Sequence, residues 1–142
     1  MEHKTWEMAM TSMLTTEPIL PRTDDLFADS QRAMASAHRL ASGFIAGLAD
    51  RQVSHPASPE EMAAALDEPL PERGSDPAGV VDEWFNRAER GITASPGPRF
   101  FGFVTGGVTP AALAGDWLAS AIDQNAGLWA ASPAAAQTER VT

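Results

Sequence analysis

Apolar residues recur at three- and four-residue spacing between Asp24 and Asp50, which is the pattern of one helix face. At ~1.5 Å per residue this segment predicts a helix roughly 40 Å long, and such a helix needs a long partner surface. Asp24 and Asp25 fall in its first turn, where the helix dipole favours acids. The predicted apolar stripe consists of Phe27, Met34, Ala37, Ala41, Phe44, Ile45 and Leu48.

Four dipeptides, each a polar residue followed by proline, predict four further helix starts. The polar side chain can accept hydrogen bonds from the free N–H groups of the first turn. Proline suits the first helical position, because an N–H at that position would have no acceptor within the helix. Glu61, three residues after Ser58, adds a capping box. Gly91 is predicted to end the second of these helices, and Gly127 lies just past the third. The dipeptides are Ser58-Pro59, Asp76-Pro77, Thr109-Pro110 and Ser132-Pro133, and they predict a mainly α chain with helices over 59–68, 77–90, 110–125 and from 133 onward.

Residues 1–23 show no helical period and contain four methionines and two prolines. We therefore expect a disordered leader. The methionines within it leave open which of them is encoded by the start codon. The chain ends within the helix that begins at Ser132-Pro133, and this pattern predicts a truncated product.

The charge balance is acidic, with 10 basic against 19 acidic residues and a formal net charge of -9. Binding to nucleic acid or to an anionic membrane needs a basic surface, so neither partner is expected. The absence of cysteine fits a reducing compartment. The N-terminus lacks the continuous apolar core of a signal peptide, so no signal peptide is expected. We expect a cytoplasmic protein. Residues 95–142 hold only three acids and two bases, which predicts that this third of the chain is largely buried.

The segment PRFFGFVTGG, residues 98–107, is a nearly uncharged aromatic run that ends in two glycines. It is too short to span a membrane, which needs about 20 apolar residues. It also lacks the glycine order of a dinucleotide-binding loop and the lysine of a P-loop. The local pattern predicts a turn between a short strand and the helix at Pro110.

Side chains with catalytic potential occur, but they form no recognisable catalytic set. The histidines have no metal-site spacing, and the paired carboxylates lie in early helical turns where dipole and solvent explain them. Trp84-Phe85 is more typical of a helix core than of a cofactor site. The histidines are His3, His38 and His55, and the carboxylate pairs are Asp24/Asp25, Glu60/Glu61 and Asp82/Glu83.

Two long stretches nevertheless resemble a known family. The sequences PRFFGFVTGGVTPAALAGDWLASAIDQNAGLWAASPAAAQTERVT and RQVSHPASPEEMAAALDEPLPERGSDPAGVVDEW are similar to the N-terminal part of the group II pyridoxal-phosphate-dependent amino-acid decarboxylases. This family includes aromatic-amino-acid and glutamate decarboxylases. The resemblance covers about Asp24 to Thr142 and implies a helical segment that precedes an α/β, aspartate-aminotransferase-like cofactor domain.

The resemblance also implies roles for particular residues. Helices of the family pack across the dimer axis, and the aromatic loop lines the substrate pocket, so its glycines would let the backbone approach a ligand closely. Some family members have an extra residue before the threonine, which leaves open which aromatic contacts substrate. The implied substrate-side residues are Phe101, Phe103 and Thr105 in the loop, and Gln124, Asn125 and Gly127 in a turn that reaches toward the neighbouring subunit; Trp129 and Ser132-Pro133 match a structural framework.

The family's chemistry needs a lysine that forms a Schiff base with pyridoxal phosphate, together with a histidine over the ring and an aspartate at its nitrogen. The only lysine here is Lys4, in the predicted leader. The resemblance therefore implies an N-terminal segment of a homodimeric L-amino-acid decarboxylase, with the cofactor bound by a domain outside these 142 residues. The alternatives are a stand-alone helical interaction module that docks on a full-length homologue or another partner, and a small unrelated enzyme.

Overall fold

The computed structural model describes residues 22–54 and 57–142, which form five α-helices and no β-strand. The mainly α prediction is confirmed, and the strand expected before Pro110 is wrong. No helix in these two ranges has both the length and the apolar composition to cross a membrane. The helices are α1 (Thr23–Ala46), α2 (Pro59–Leu66), α3 (Pro77–Ala88), α4 (Pro110–Ile122) and α5 (Pro133–Val141), and a 3-10 turn (Glu89–Gly91) follows α3.

All four predicted helix starts are confirmed, each with a side-chain cap. The Ser58 hydroxyl accepts from the Glu61 N–H at 3.1 Å, and the Ser58 N–H donates to the Glu61 carboxylate at 2.8 Å, which completes the capping box. The helix ends come a few residues earlier than predicted, and α1 ends at Ala46 rather than Asp50. The remaining caps are Asp76 to the Gly79 N–H, Thr109 to the Ala112 N–H and Ser132 to the Ala135 N–H.

The predicted leader lies almost wholly outside the described residues, since the first residue that the structure describes is Arg22. Thr23, which the prediction placed in the leader, is the first residue of α1. Arg22 supplies no side-chain cap to α1, but Asp24 and Asp25 stand in its first turn as expected. His3 and His55 also lie outside the described residues, whereas His38 is on α1.

The chain divides into two compact units between Thr93 and Ala94. In the first unit both α1 and α2 pack on α3. The 3-10 turn that follows α3 approaches α2 closely at Gly91, where an added Cβ would lie 2.6 Å from the Met62 sulfur. A glycine at this position therefore lets the short helix α2 lie against the 3-10 turn.

Arginine–carboxylate pairs connect α1 and its following turn to α3. Arg32 donates to Asp76 at 2.9 Å, and Arg51, beyond the end of α1, donates to Glu89 at 2.8 Å. Between them Arg39 donates to Asp82. The residue numbers of the paired partners increase together along both segments, so α1 and α3 run parallel.

The face of α1 that meets α3 differs in part from the predicted stripe. Phe27, with 68% of its surface accessible, Met34 and Ile45 are exposed. These three residues of the predicted stripe are uncovered in the single chain, whereas Ala37, Ala41 and Phe44 are at least half covered. The side chains on the covered face are smaller and more polar than expected: Asp29, Ala33, Ser36, Ala37, Leu40, Ala41 and Phe44.

The second unit contains the aromatic loop, α4 and α5, and it is mostly exposed. Of its residues from 95 to 142 only Ser132 is buried, so the prediction of a largely buried third is wrong for this structure. Low charge does not by itself require burial, because it is equally compatible with a surface that is apolar and exposed.

The contact between Arg32 and Asp76 predicts acid sensitivity in the first unit. The pKa of Asp76 lies below its ordinary value because the Arg32 guanidinium and the Gly79 N–H both donate to its carboxylate. Since the folded-state pKa is depressed, the stabilisation is present above the unfolded value of about 4 and is lost as the pH falls through the folded-state value.

We expect Asp76→Asn to reduce the loss of stability between about pH 5 and pH 2, because asparagine keeps the helix cap but cannot titrate. Urea unfolding followed by circular dichroism at several pH values measures this, with Asp67→Asn as the control. An acid dependence equal to that of the unaltered chain would contradict the assignment.

Candidate functional site

The aromatic loop of the second unit is a succession of tight turns that leads into α4. The Gly97 N–H donates to the Ala94 carbonyl at 3.0 Å, and the Phe100 N–H donates to the Gly97 carbonyl at 3.2 Å. The next turn closes where the Thr105 N–H donates to the Gly102 carbonyl at 3.3 Å. These short-range bonds give the loop a defined path without a strand.

The turn from Gly102 to Thr105 has an unusual backbone. Phe103 and Val104 both have φ of 55°, in the left-handed region, as the two central residues of a type I′ turn do. Glycine and asparagine normally occupy such positions, and a β-branched residue is least suited to them. Each such residue costs on the order of 1–3 kcal/mol, so this turn holds its side chains out at an energetic cost.

The side chains held out in this way form an apolar tip, which we define as Phe101, Phe103 and Val104. Phe101 and Phe103 each have 93% of their surface accessible, and Val104 is fully exposed. The Thr105 hydroxyl turns back and donates to the Gly102 carbonyl at 3.2 Å. The tip is therefore purely apolar, and a tip of this kind suits contact with an apolar surface or ligand.

The second group of predicted site residues forms the turn after α4. Asp123 ends the helix in the left-handed conformation, with φ of 43°, so the position that favours glycine is held by an aspartate and not by Gly127. The Gln124 amide donates to the Ile122 carbonyl at 2.7 Å. The Asn125 side-chain oxygen accepts from the Gly127 N–H at 2.8 Å. These contacts are local, and they hold the turn in shape.

The two predicted groups stand at opposite ends of α4. The loop with Phe101, Phe103 and Thr105 precedes its first residue, and Gln124, Asn125 and Gly127 follow its last. The helix has 13 residues, a length of about 20 Å at ~1.5 Å per residue. These residues therefore flank α4 in the chain, one group before the helix and one group after it.

Two kinds of group can be checked among the described side chains, namely a metal-holding cluster and a lysine for pyridoxal phosphate. No group of His, Asp and Glu residues in 22–54 and 57–142 is arranged to hold a metal ion. The Schiff-base lysine that pyridoxal phosphate needs is also missing there, because Lys4 lies outside the described residues. These residues do not fit that cofactor by themselves.

A groove in the first unit was not anticipated from the sequence. It has a volume of about 280 Å³, an apolar lining of Leu66, Pro71, Val80 and Trp84, and Arg87 at its rim. Arg87 donates to both Glu68 and Glu83. Trp84, interpreted from the sequence as a core residue, has 57% of its surface accessible, and the core assignment is wrong for this side chain.

Helical spacing alone did not indicate this groove. Trp84 lies three residues after Val81 and four before Ala88, next to the covered face of α3, so its spacing is that of a covered position. No protein-family model matches the chain, and a search of curated proteins found no match either.

The left-handed turn predicts a stabilising substitution. Val104→Gly removes a β-branched side chain from φ of 55°, and we expect the turn to become more stable by about 1 kcal/mol. Exchange of the Thr105 amide hydrogen, which the turn bond protects, should then slow about fivefold. Val108→Gly is the control, since Val108 lies outside the left-handed pair and the glycine can only add flexibility there. Unchanged or faster exchange in Val104→Gly would contradict the strained turn.

Proposed function

We propose that this chain is the N-terminal segment of a group II pyridoxal-phosphate-dependent decarboxylase that acts on an L-amino acid. In that protein it contributes to the dimer interface and to the wall of the substrate pocket. The complete enzyme works in the cytoplasm and removes the α-carboxylate of its substrate. The residues assigned to the pocket are Phe101, Phe103, Thr105, Gln124, Asn125 and Gly127.

The observation that carries this proposal is the exposure of α4. Asp116 is the only charged residue in the 13 positions of this helix, so the helix is apolar around almost its whole circumference. Only Leu113 and Trp117 are half covered, whereas Leu118 and Ile122 are exposed. A helix that is apolar on all sides is normally enclosed by protein. A segment of a larger assembly supplies such an enclosure, and the resemblance lies in this same stretch.

The position of the two predicted groups also agrees with a dimer. Phe103 precedes the first residue of α4, and Asn125 follows its last. At a dimer interface the two ends can serve different active sites. The cofactor would be held by a further domain, since no lysine occurs in the described residues.

The alternative function, a stand-alone interaction module, is favoured by the groove at Trp84. Its apolar lining and its rim of Glu68, Glu83 and Arg87 could accept a partner side chain without any catalytic domain. The coding sequence after Thr142 separates the two functions. A continuing frame that encodes a cofactor lysine supports the decarboxylase, and a stop codon at that point supports the module.

Pyridoxal phosphate provides a direct test on the 142-residue chain. We expect no stoichiometric change in cofactor absorbance and no release of CO2 from any amino acid, because the required lysine is absent from the described residues. Lys4→Ala is the control for adventitious reaction at the only lysine. A saturable absorbance change that survives Lys4→Ala would contradict the assignment of the cofactor to another domain.

The pocket role of Phe103 is testable in the protein encoded by the longer frame. We expect Phe103→Ala to lower kcat/KM by about 10- to 100-fold, or on the order of 1.4–2.8 kcal/mol, while the cofactor still loads. Val108→Ala, in the same loop, is the control and should keep near-normal kcat/KM.

The same variant distinguishes a pocket residue from a packing residue. A pocket role predicts an almost unchanged dimer and melting temperature. A large drop in melting temperature with normal activity in the folded fraction would assign Phe103 to packing, and an unchanged kcat/KM would remove it from the site.

A further inference from the structure

Ser36, Arg39 and Asp82 form a polar cluster where α1 crosses α3. The Ser36 hydroxyl donates to Asp82, and Arg39 donates to the Ser36 oxygen at 3.2 Å and to Asp82. Ser36 has only 8% of its surface accessible, whereas the other side chains of α1 are half covered or exposed. The most deeply buried side chain of α1 is thus a polar one.

The apolar side chains of the same face repeat every four residues. Ala33, Ala37 and Ala41 form one row, and Leu40 and Phe44 lie beside it at the same spacing. If α1 slid along α3 by four residues, or about 6 Å, so that each place took the residue four positions further on, alanine would replace alanine at two of the three places in the row. Ile45 would take the third place, and Phe44 would take the place of Leu40. Apolar packing alone therefore distinguishes poorly between registers one turn apart.

The polar groups, in contrast, distinguish these registers clearly. A slide in one direction puts Leu40 in the place of Ser36 and Gly43 in the place of Arg39, which leaves the partly exposed Asp82 carboxylate without either partner. A slide in the other direction brings Arg32 to Asp82 but takes it from Asp76, and Ala35 then replaces Arg39. The observed register satisfies both carboxylates, and neither neighbouring register does.

We propose that the Ser36–Arg39–Asp82 cluster is a register lock that selects one of several closely similar packings of α1 on α3. One-turn displacements of packed helices are a known form of conformational switching. Release of the lock would move the exposed residues of α1, including Phe27 and Met34, by one turn relative to α3. This inference does not depend on the proposed decarboxylase function.

Distance measurement on the full chain tests the lock. Gln31 on α1 and Asn86 on α3 are exposed, and the chain has no cysteine, so Gln31→Cys and Asn86→Cys can be spin-labelled specifically. These two sites are offset along the helix pair, so a one-turn slide changes their separation by about 4–6 Å. Pulsed electron–electron double resonance measures the whole distribution of the distance between the two spin labels.

We expect one narrow distance in the unaltered register. Ser36→Ala and Asp82→Asn should each produce a second, discrete distance, with the ratio of the two registers shifted about tenfold. Ser30→Ala and Glu83→Gln are matched controls, because Ser30 bonds only the Leu26 carbonyl of its own helix and Glu83 bonds Arg87 on α3. Both controls should keep the single distance.

Two outcomes would overturn the proposal. One is a single, unchanged distance in both Ser36→Ala and Asp82→Asn, and the other is a broad distribution without a second peak, which means that α1 leaves α3 instead of sliding. If either variant loses its helical circular dichroism, Ser36→Ala with Asp82→Ala decides the question. That double variant leaves no buried polar atom without a partner, and a single narrow distance in it would equally refute the lock.

Discussion

The packing of α1 on α3 depends on polar contacts as well as apolar ones, because alanines occupy much of the covered face of α1 and enclose little apolar area. Ala88 is the only buried apolar residue described in the first unit, and the face of α1 that packs on α3 is rich in alanine. Small residues let the helices approach, but they bury little area, and hydrophobic stabilisation grows with buried area. Ser36 and the arginines of α1 therefore determine where α1 lies, and α3 in turn supports α2 and one wall of the groove.

The helix starts could be predicted because their causes are local. Each cap is one side chain and one N–H three residues away, as in Ser58 with Glu61, so the sequence alone contains the whole interaction. The helix ends could not be predicted as well, since α4 ends at an aspartate in the left-handed conformation, a position that glycine usually marks. The all-α class follows from the starts, and the exact lengths depend on contacts that sequence spacing does not record.

The packed faces and the candidate site were less predictable. Periodicity selects the largest apolar residues, such as Phe27 and Met34, whereas close helix packing in this chain selects alanine and serine on a neighbouring face. For the site, the resemblance could name Phe103 but not its backbone, because phenylalanine and valine are among the residues least expected at positive φ. The exposure of Trp84 is not predictable from spacing, because Trp84 lies three residues after Val81 and four before Ala88, which are covered positions of α3.

The two units differ in how much charge they present to solvent. In the first unit exposed arginines and carboxylates are paired across the helix contacts, although large apolar side chains such as Phe27 and Trp84 are exposed there too. In the second unit the apolar tip and α4 face solvent with almost no charge. Burying the three side chains of the tip would contribute on the order of 1.5–3 kcal/mol each, which is at least as much as the 1–3 kcal/mol that each left-handed residue of the turn costs. Docking of the apolar tip on a protein surface can therefore offset the strain of the turn, because the free energy gained by burying the tip is as large as the cost of the two left-handed residues.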